Sequence, residues 1–182
     1  MCDADEILAV LRTILDPEMP ISIVDLGLVE EVLVEPGDDA PEQARVSITL
    51  LPTFVGCPAL SMIERLVREK VAALPGVAGV RVRFVNDPPW TVERISDAGR
   101  AALREFGVTT PARGTCGGRG LYESVTSVAL TASAAADDAS APACPFCDSD
   151  ATRQVSRFGP TRCKMIYYCD ACKNSFEHLK PI

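Results

Sequence analysis

Histidine is almost missing from this sequence: His178 stands alone among 182 residues. No Ser-His-Asp or Cys-His arrangement can be written from it, so general-base chemistry by imidazole is poorly supplied. A glycine-rich phosphate loop is lacking too, because the glycines from Gly114 to Gly120 come without a Lys-Ser/Thr step or a preceding strand. No apolar run approaches the roughly 18 to 20 residues that cross a bilayer. The opening Met1-Cys2-Asp3-Ala4-Asp5-Glu6 is the reverse of a basic export signal. The expectation is a cytoplasmic protein with no membrane contact. Basic residues are in deficit, 18 Lys and Arg against 25 Asp and Glu for a net charge of -7, which argues against nucleic acid as a partner.

What is present fits a globular chain: 47% hydrophobic and 24% charged residues leave room for a packed core. The charge is uneven. Residues 1–143 hold 12 basic against 21 acidic side chains, a balance of -9, while residues 144–182 hold 6 against 4, a balance of +2. Four thiolates on one divalent cation would add a formal -2 there, leaving a metal-loaded tail about neutral.

Ile7, Leu8, Leu11, Ile14 and Leu15 recur at helical spacing behind an Asp3/Glu6 capping box, predicting a helix over 3–15 that Asp16-Pro17 stops. Apolar runs at 28–34 and 44–51, separated by the turn from Pro36 to Pro41, predict an antiparallel hairpin. A second helix follows, with Pro58 at its first position and Leu60, Ile63, Leu66, Val67, Val71 and Leu74 along one stripe. Residues 77–85 alternate as a third strand, with Val80, Val82 and Phe84 opposite Arg81 and Arg83. Ser96 caps a last helix that Gly107 closes. The order helix-strand-strand-helix-strand-helix predicts an α+β domain, a small mixed sheet with helices on one face. The expected organisation is this domain over 1–112, a flexible linker over 113–143, whose later part collapses to small and polar residues, and a zinc ribbon over 144–182.

Eight cysteines without an export signal read first as metal ligands or reactive thiols. Cys144-Pro145-Phe146-Cys147 and Cys169-Asp170-Ala171-Cys172 are two Cys-x-x-Cys knuckles with 21 residues between them. That gap slightly exceeds the usual range for paired zinc knuckles, yet a hairpin of about this length can return the second pair to the first, around a structural zinc ion with no vacancy for water. So small a segment with so few apolar side chains needs the metal to fold. The competing reading is a redox dithiol. Cys163 lies outside both knuckles, as a packed thiol, a spare ligand or a transient ligand, and His178 is expected to be structural or exposed.

In the first domain, Cys57 stands before Pro58 at the mouth of the second helix, where free amides and the helix dipole favour a thiolate. It is either a reactive or metal-binding thiol, or a helix cap or core filler. Asp25 lies in the apolar stretch from Ile21 to Leu28, so it either accepts backbone amide bonds or faces a site.

Asp16-Pro17-Glu18-Met19-Pro20, then Ile23-Val24-Asp25-Leu26-Gly27-Leu28-Val29, then Thr53 through Gly56-Cys57-Pro58 resemble the metal-sulfur cluster assembly domain of SufT-like and eukaryotic cytosolic iron-sulfur targeting factors. Pro88-Pro89-Trp90-Thr91, Ile95-Ser96-Asp97-Ala98-Gly99-Arg100, and the tail Ser156-Arg157-Phe158-Gly159-Pro160-Thr161-Arg162-Cys163-Lys164 with Phe176-Glu177-His178-Leu179-Lys180 are similar to the PaaD (PaaJ) family of bacterial phenylacetate degradation. The resemblance implies an accessory protein, not an enzyme, that assists iron or iron-sulfur centre assembly in the phenylacetyl-CoA ring epoxidase. It maps a shared acidic residue onto Asp25 and a shared cysteine onto Cys57, the candidates for transient contact with iron or a cluster. Implied partners are the other subunits of that oxygenase complex, including its iron-sulfur reductase, with the ribbon docking a client and a homodimer left open. The alternative is a non-catalytic structural subunit of the same complex.

Overall fold

Apolar residues two apart in three short strands, and three or four apart in the helices between them, leave one arrangement that buries both sets. The computed structural model describes residues 3–37, 43–114 and 141–181. They divide between Phe106 and Gly107 into two compact units. Residues 115–140, most of the expected linker, and residues 38–42 in the first hairpin turn lie outside the described residues.

The first unit begins with α1, Ala4–Leu11, whose Asp3 cap accepts the Glu6 amide at 2.8 Å and whose Ile7 and Leu11 are buried. The helix ends four residues short of the predicted Leu15. The Asp16 carboxylate accepts the amides of Glu18 and Met19 at 2.8 and 3.0 Å, closing a turn, and Leu15 pairs with Ser22 as an isolated antiparallel bridge. Side chain-backbone bonding at Asp16 therefore overrides helical periodicity.

β1 (Val29–Pro36) pairs antiparallel with β2 (Ala44–Leu50), which pairs in parallel with β3 (Val77–Phe84). The sheet is mixed, in the order β1-β2-β3. Val46 faces Val34 and Val80 in register, and Ile48 faces Val32 and Val82, so one face is apolar. α2 (Leu60–Ala72) packs on β3, and α1 lies against α2 and β1. Glu31, Thr49 and Arg83 share the other face, where Arg83 donates to Thr49 Oγ1 at 3.0 Å. The predicted α+β class is the observed one.

Pro58 does not open α2. Leu60 N–H reaches back to Cys57 O at 3.3 Å, so residues 58 and 59 form a tight turn and Ala59 is the cap. After β3 the chain passes a cis Asp87–Pro88 bond and a short 3-10 turn at Val92–Arg94 into α3 (Asp97–Glu105), where Ser96 Oγ accepts the Gly99 amide at 2.9 Å.

The second unit is a four-stranded sheet of β4 (Val108–Thr109), β5 (Thr152–Ser156), β6 (Lys164–Cys169) and β7 (Ser175–Leu179), in the order β4-β7-β6-β5. β4 runs parallel to β7 and the other pairs are antiparallel. Its small core joins Cys144, Cys169 and Phe176, with Tyr167 and Cys172 packed against them. Two residues of β4 are too few to carry a periodicity, and that strand was not expected. Among the described residues no helix is long and apolar enough to cross a membrane.

Candidate metal centre and the cysteine of the first unit

The two Cys-x-x-Cys knuckles fold by the same local rule. In each, the first cysteine's carbonyl accepts the amide four residues on, from Asp148 at 3.0 Å and from Lys173 at 2.9 Å. Each first cysteine donates its own amide five residues on, Cys144 to Ser149 O at 3.0 Å and Cys169 to Asn174 O at 2.9 Å. The residues four positions on, Asp148 and Lys173, are the described non-glycine residues with positive φ, 57° and 63°. Such backbone costs a side chain roughly 1 to 2 kcal/mol, accepted here to curl each knuckle around its sulfurs.

Pairing of β6 with β7 and β5 carries the second knuckle back to the first. All four sulfurs lie within 4.8 Å of one another, with Cys144 Sγ and Cys172 Sγ 3.6 Å apart and Cys147 Sγ and Cys169 Sγ 3.6 Å apart. Sulfurs bound at about 2.3 Å to one tetrahedral ion stand about 3.8 Å apart, so the donor set fits such an ion with four thiolates. It is a set built to bind metal. Among the described residues no other group of three or more His, Cys, Asp or Glu side chains is placed to do so.

Bare sulfurs at this spacing cannot all ionise. The Asn174 amide, which favours the anion, lowers the Cys172 thiol to about 6. For Cys147 the Ser149 amide also pulls downward, yet burial and the neighbouring thiols of Cys172, Cys169 and Cys144 together push it up to about 12. Burial raises Cys144. A divalent cation removes this conflict by compensating the thiolate charge, and its binding releases the remaining protons.

Cys163 stands apart from the four. It is buried ahead of β6, with Thr161 Oγ1 3.1 Å from its sulfur, and its carbonyl accepts the Lys180 amide at 2.9 Å. His178 is buried on β7, its Nδ1 2.8 Å from Thr109 Oγ1 and its ring edge-on to Tyr167. Burial lowers its pKa to about 4, so it is neutral. Thr109 was invisible as a partner because 69 residues separate the pair.

Cys57 is partly buried, in a turn closed by its own amide on Phe54 O at 3.1 Å and by Leu60 N–H on its carbonyl. Asp25 is tied down. Ser22 Oγ donates to one carboxylate oxygen at 2.8 Å, and Ser96 Oγ donates to the other at 2.7 Å. The Asp25 carbonyl also accepts the Ser96 amide at 2.9 Å, and a Cβ on Gly99 would stand 2.7 Å from that same oxygen. Its carboxylate partners among the described residues are thus serine hydroxyls and not backbone amides, which were the first of the two alternatives that the sequence left open. The loop around it is held from the same side: Trp90 Nε1 donates to Leu26 O at 2.9 Å, and Arg94 Nε to Gly27 O at 3.0 Å. Gly27 has φ +75°, and a side chain there would meet Arg94 at 2.5 Å. The Ser22-x-x-Asp25 step was a readable turn signal. The Ser96 contact, 71 residues away, was not. Cys2 and Cys116 lie outside the described residues.

Residues 4–83 match the family described as iron-sulfur cluster assembly protein, and residues 130–180 match the PaaD zinc beta ribbon domain. A relative from Escherichia coli (strain K12), one of the subunits of a "Putative 1,2-phenylacetyl-CoA epoxidase", is 34% identical over 97% of this chain and 92% of its own. The Fe-S protein maturation auxiliary factor YitW of Bacillus subtilis (strain 168) is 35% identical over 54% of this chain and 91% of its own. A solved domain of unknown function DUF59 from Bacillus anthracis, 32% identical, covers 54% of this chain and 89% of its own with a TM-score of 0.47. Because the Escherichia coli relative aligns nearly end to end, and both domain matches fall in order on one sequence, this chain belongs to the PaaD family.

Proposed function

We propose that this chain is an accessory factor that helps mature an iron or iron-sulfur centre of a phenylacetyl-CoA epoxidase, working in the cytoplasm beside that complex and its iron-sulfur reductase. The observation that carries the reading is the near end-to-end likeness to the Escherichia coli epoxidase component, joined to an iron-sulfur assembly match over residues 4–83. The ion of the second unit is zinc in this reading. Four thiolates with no open position suit a metal that holds the ribbon together and does no chemistry there.

Iron or a cluster is the cargo, and Cys57 is its contact on this chain. A cluster takes four ligands, so one thiolate shares it with thiols of the client or of a second copy. Asp25 shapes the site by joining Ser22 to the start of α3. The scarcity of general bases supports an accessory role over an enzymatic one.

The test is the iron content of epoxidase and reductase purified from cells carrying Cys57→Ser in place of the native chain. Lower iron in either, with the variant folded, is the expected result. Normal loading of both overturns the proposal, and constant co-purification regardless of Cys57 would favour a non-catalytic structural subunit instead.

A further inference from the structure

The sheet of the first unit buries its apolar face and leaves the other open. On the open face Leu33, Ser47 and Arg81 stand in one cross-strand row, with Glu31, Thr49 and Arg83 in the row beside it. The row on the other side is Glu35, Arg45 and Gly79. The charged side chains of β1 and β3 on this face are exposed, and so is Leu33 at 45%, so no described segment covers it.

Its charges are sorted by strand. Glu31 and Glu35 lie on β1 at one edge, Arg81 and Arg83 on β3 at the other, and the short side chains of Ser47 and Thr49 lie between them on β2. Glu31 and Arg83 reach across to 3.9 Å, and Arg83 also donates to Thr49 Oγ1. Glu35 and Arg81 have no side-chain partner among the described residues.

A face acidic along one edge and basic along the other is complementary to itself in one orientation. A two-fold axis parallel to β2 lays β1 of a second copy over β3 of the first, and β3 over β1. An axis across the strands would set glutamate over glutamate instead. With the axis along β2, Leu33 of one copy lies over the aliphatic stem of Arg81 of the other. Glu35 comes over Gly79, where a Cβ would meet nothing within 4 Å. Arg81 is two residues further along β3, a step of about 7 Å that its side chain can span. Arg45 meets its counterpart near the axis with a Glu35 on either side. Three strands about 4.8 Å apart and seven or eight residues long offer roughly 300 Å² per copy, against about 800 Å² in a stable interface, so the pairing is weak.

We propose that this open face pairs two copies of the chain, sheet on sheet, through reciprocal contacts of Glu35 with Arg81. Rotation about an axis along β2 preserves strand direction, so the two turns that carry Cys57, between β2 and α2, come to the same end of the pair. The pairing itself does not depend on the maturation reading; only the sharing of one cluster by the two Cys57 thiols rests on it.

The experiment is sedimentation of the full-length, metal-loaded chain over a concentration series. Wild type, Arg81→Glu, Glu35→Arg and an equimolar mixture of the two variants are compared, each variant first shown to have unchanged metal content and melting temperature. Wild type is expected to dimerise reversibly, and each variant alone to do so about tenfold or more weakly, because both of its reciprocal contacts join like charges. The mixture is expected to regain dimers, since every contact between positions 35 and 81 in a mixed pair again joins opposite charges. A wild type that stays monomeric throughout, dimers that neither variant weakens, or weakened variants whose mixture does not recover would each overturn the pairing. Loss of binding to the purified epoxidase complex by Arg81→Glu, with its self-association unchanged, would also overturn it and assign the face to the client. None of these results touches the maturation reading, which stands or falls on iron in the Cys57→Ser strain; normal iron there removes that reading and leaves the pairing.

Discussion

The two units solve the same problem with different materials. In the first, side chains such as Leu11, Ile23, Leu26, Ile48, Ile63 and Leu103 are fully buried, and the twelve largest fully buried side chains among those described all belong to it. In the second, the core is Phe176 with two buried cysteines, and its other buried residues include Lys164 and His178. Burying a Leu or Ile is worth roughly 1.5 to 3 kcal/mol, so the first unit can stand on apolar burial. The second has too little of it and gathers four sulfurs instead. The contrast separates the cysteines: four of the second unit meet at one point, while Cys57 lies in a turn of the first.

The sharpest way to break this contrast is to remove the metal. A chelator strong enough to strip the second unit, or Cys169→Ser, should unfold that unit outright, because apparent binding energies of structural thiolate sites are on the order of 10 kcal/mol and are folding energy. The first unit should keep its own melting transition. Two-dimensional NMR would report the two sets of amides separately, and a ribbon that stays dispersed without metal would contradict the division.

A smaller effect should follow from acid. His178 titrates near 4 when folded and near 6.5 when unfolded. Between those values the unfolded chain takes up a proton that the folded one refuses. The stability contributed by neutral His178 is complete above about pH 6.5 and is lost as pH falls towards 4, up to about 3 kcal/mol. Thiolate protonation acts in the same direction, so the measurement is a difference: wild type against His178→Gln, by denaturation of the metal-loaded chain from pH 7 to pH 4. Equal slopes would show that the ring is solvated in the folded state.

The smallest of the three sharpens the other side of the comparison. Ser96→Ala removes both the cap of α3 and a hydroxyl held by Asp25. It should lower the stability of the first unit by about 1 to 2 kcal/mol, with no change in metal content. Loss of metal from Ser96→Ala would mean that the units do not stand separately.

Much of this was legible beforehand, for reasons that differ by element. Val46, Ile48 and Leu50 alternate cleanly because β2 is the central strand, and Ile63, Val67 and Val71 lie four apart because one stripe of α2 is buried. The doubled Cys-x-x-Cys spacing announced a sulfur cluster because two intervening residues leave both thiols free to face one point. What escaped was set by contacts distant in sequence or by very short segments. Helical spacing runs on to Leu15, but the Asp16 turn and the bridge to Ser22 draw it away from α1. β4 has two residues and exists because β7 offers it an edge. Asp25 read as a carboxylate in apolar company, and only folding brings Ser96 to it.

One measurement bears most directly on the central contrast: native mass spectrometry of the purified full-length chain and of a variant with Cys144, Cys147, Cys169 and Cys172 all changed to serine. One zinc ion per wild-type chain and none on the variant is the result this account predicts. An unchanged metal stoichiometry in the variant, or a folded wild-type ribbon that carries no metal at all, would contradict it.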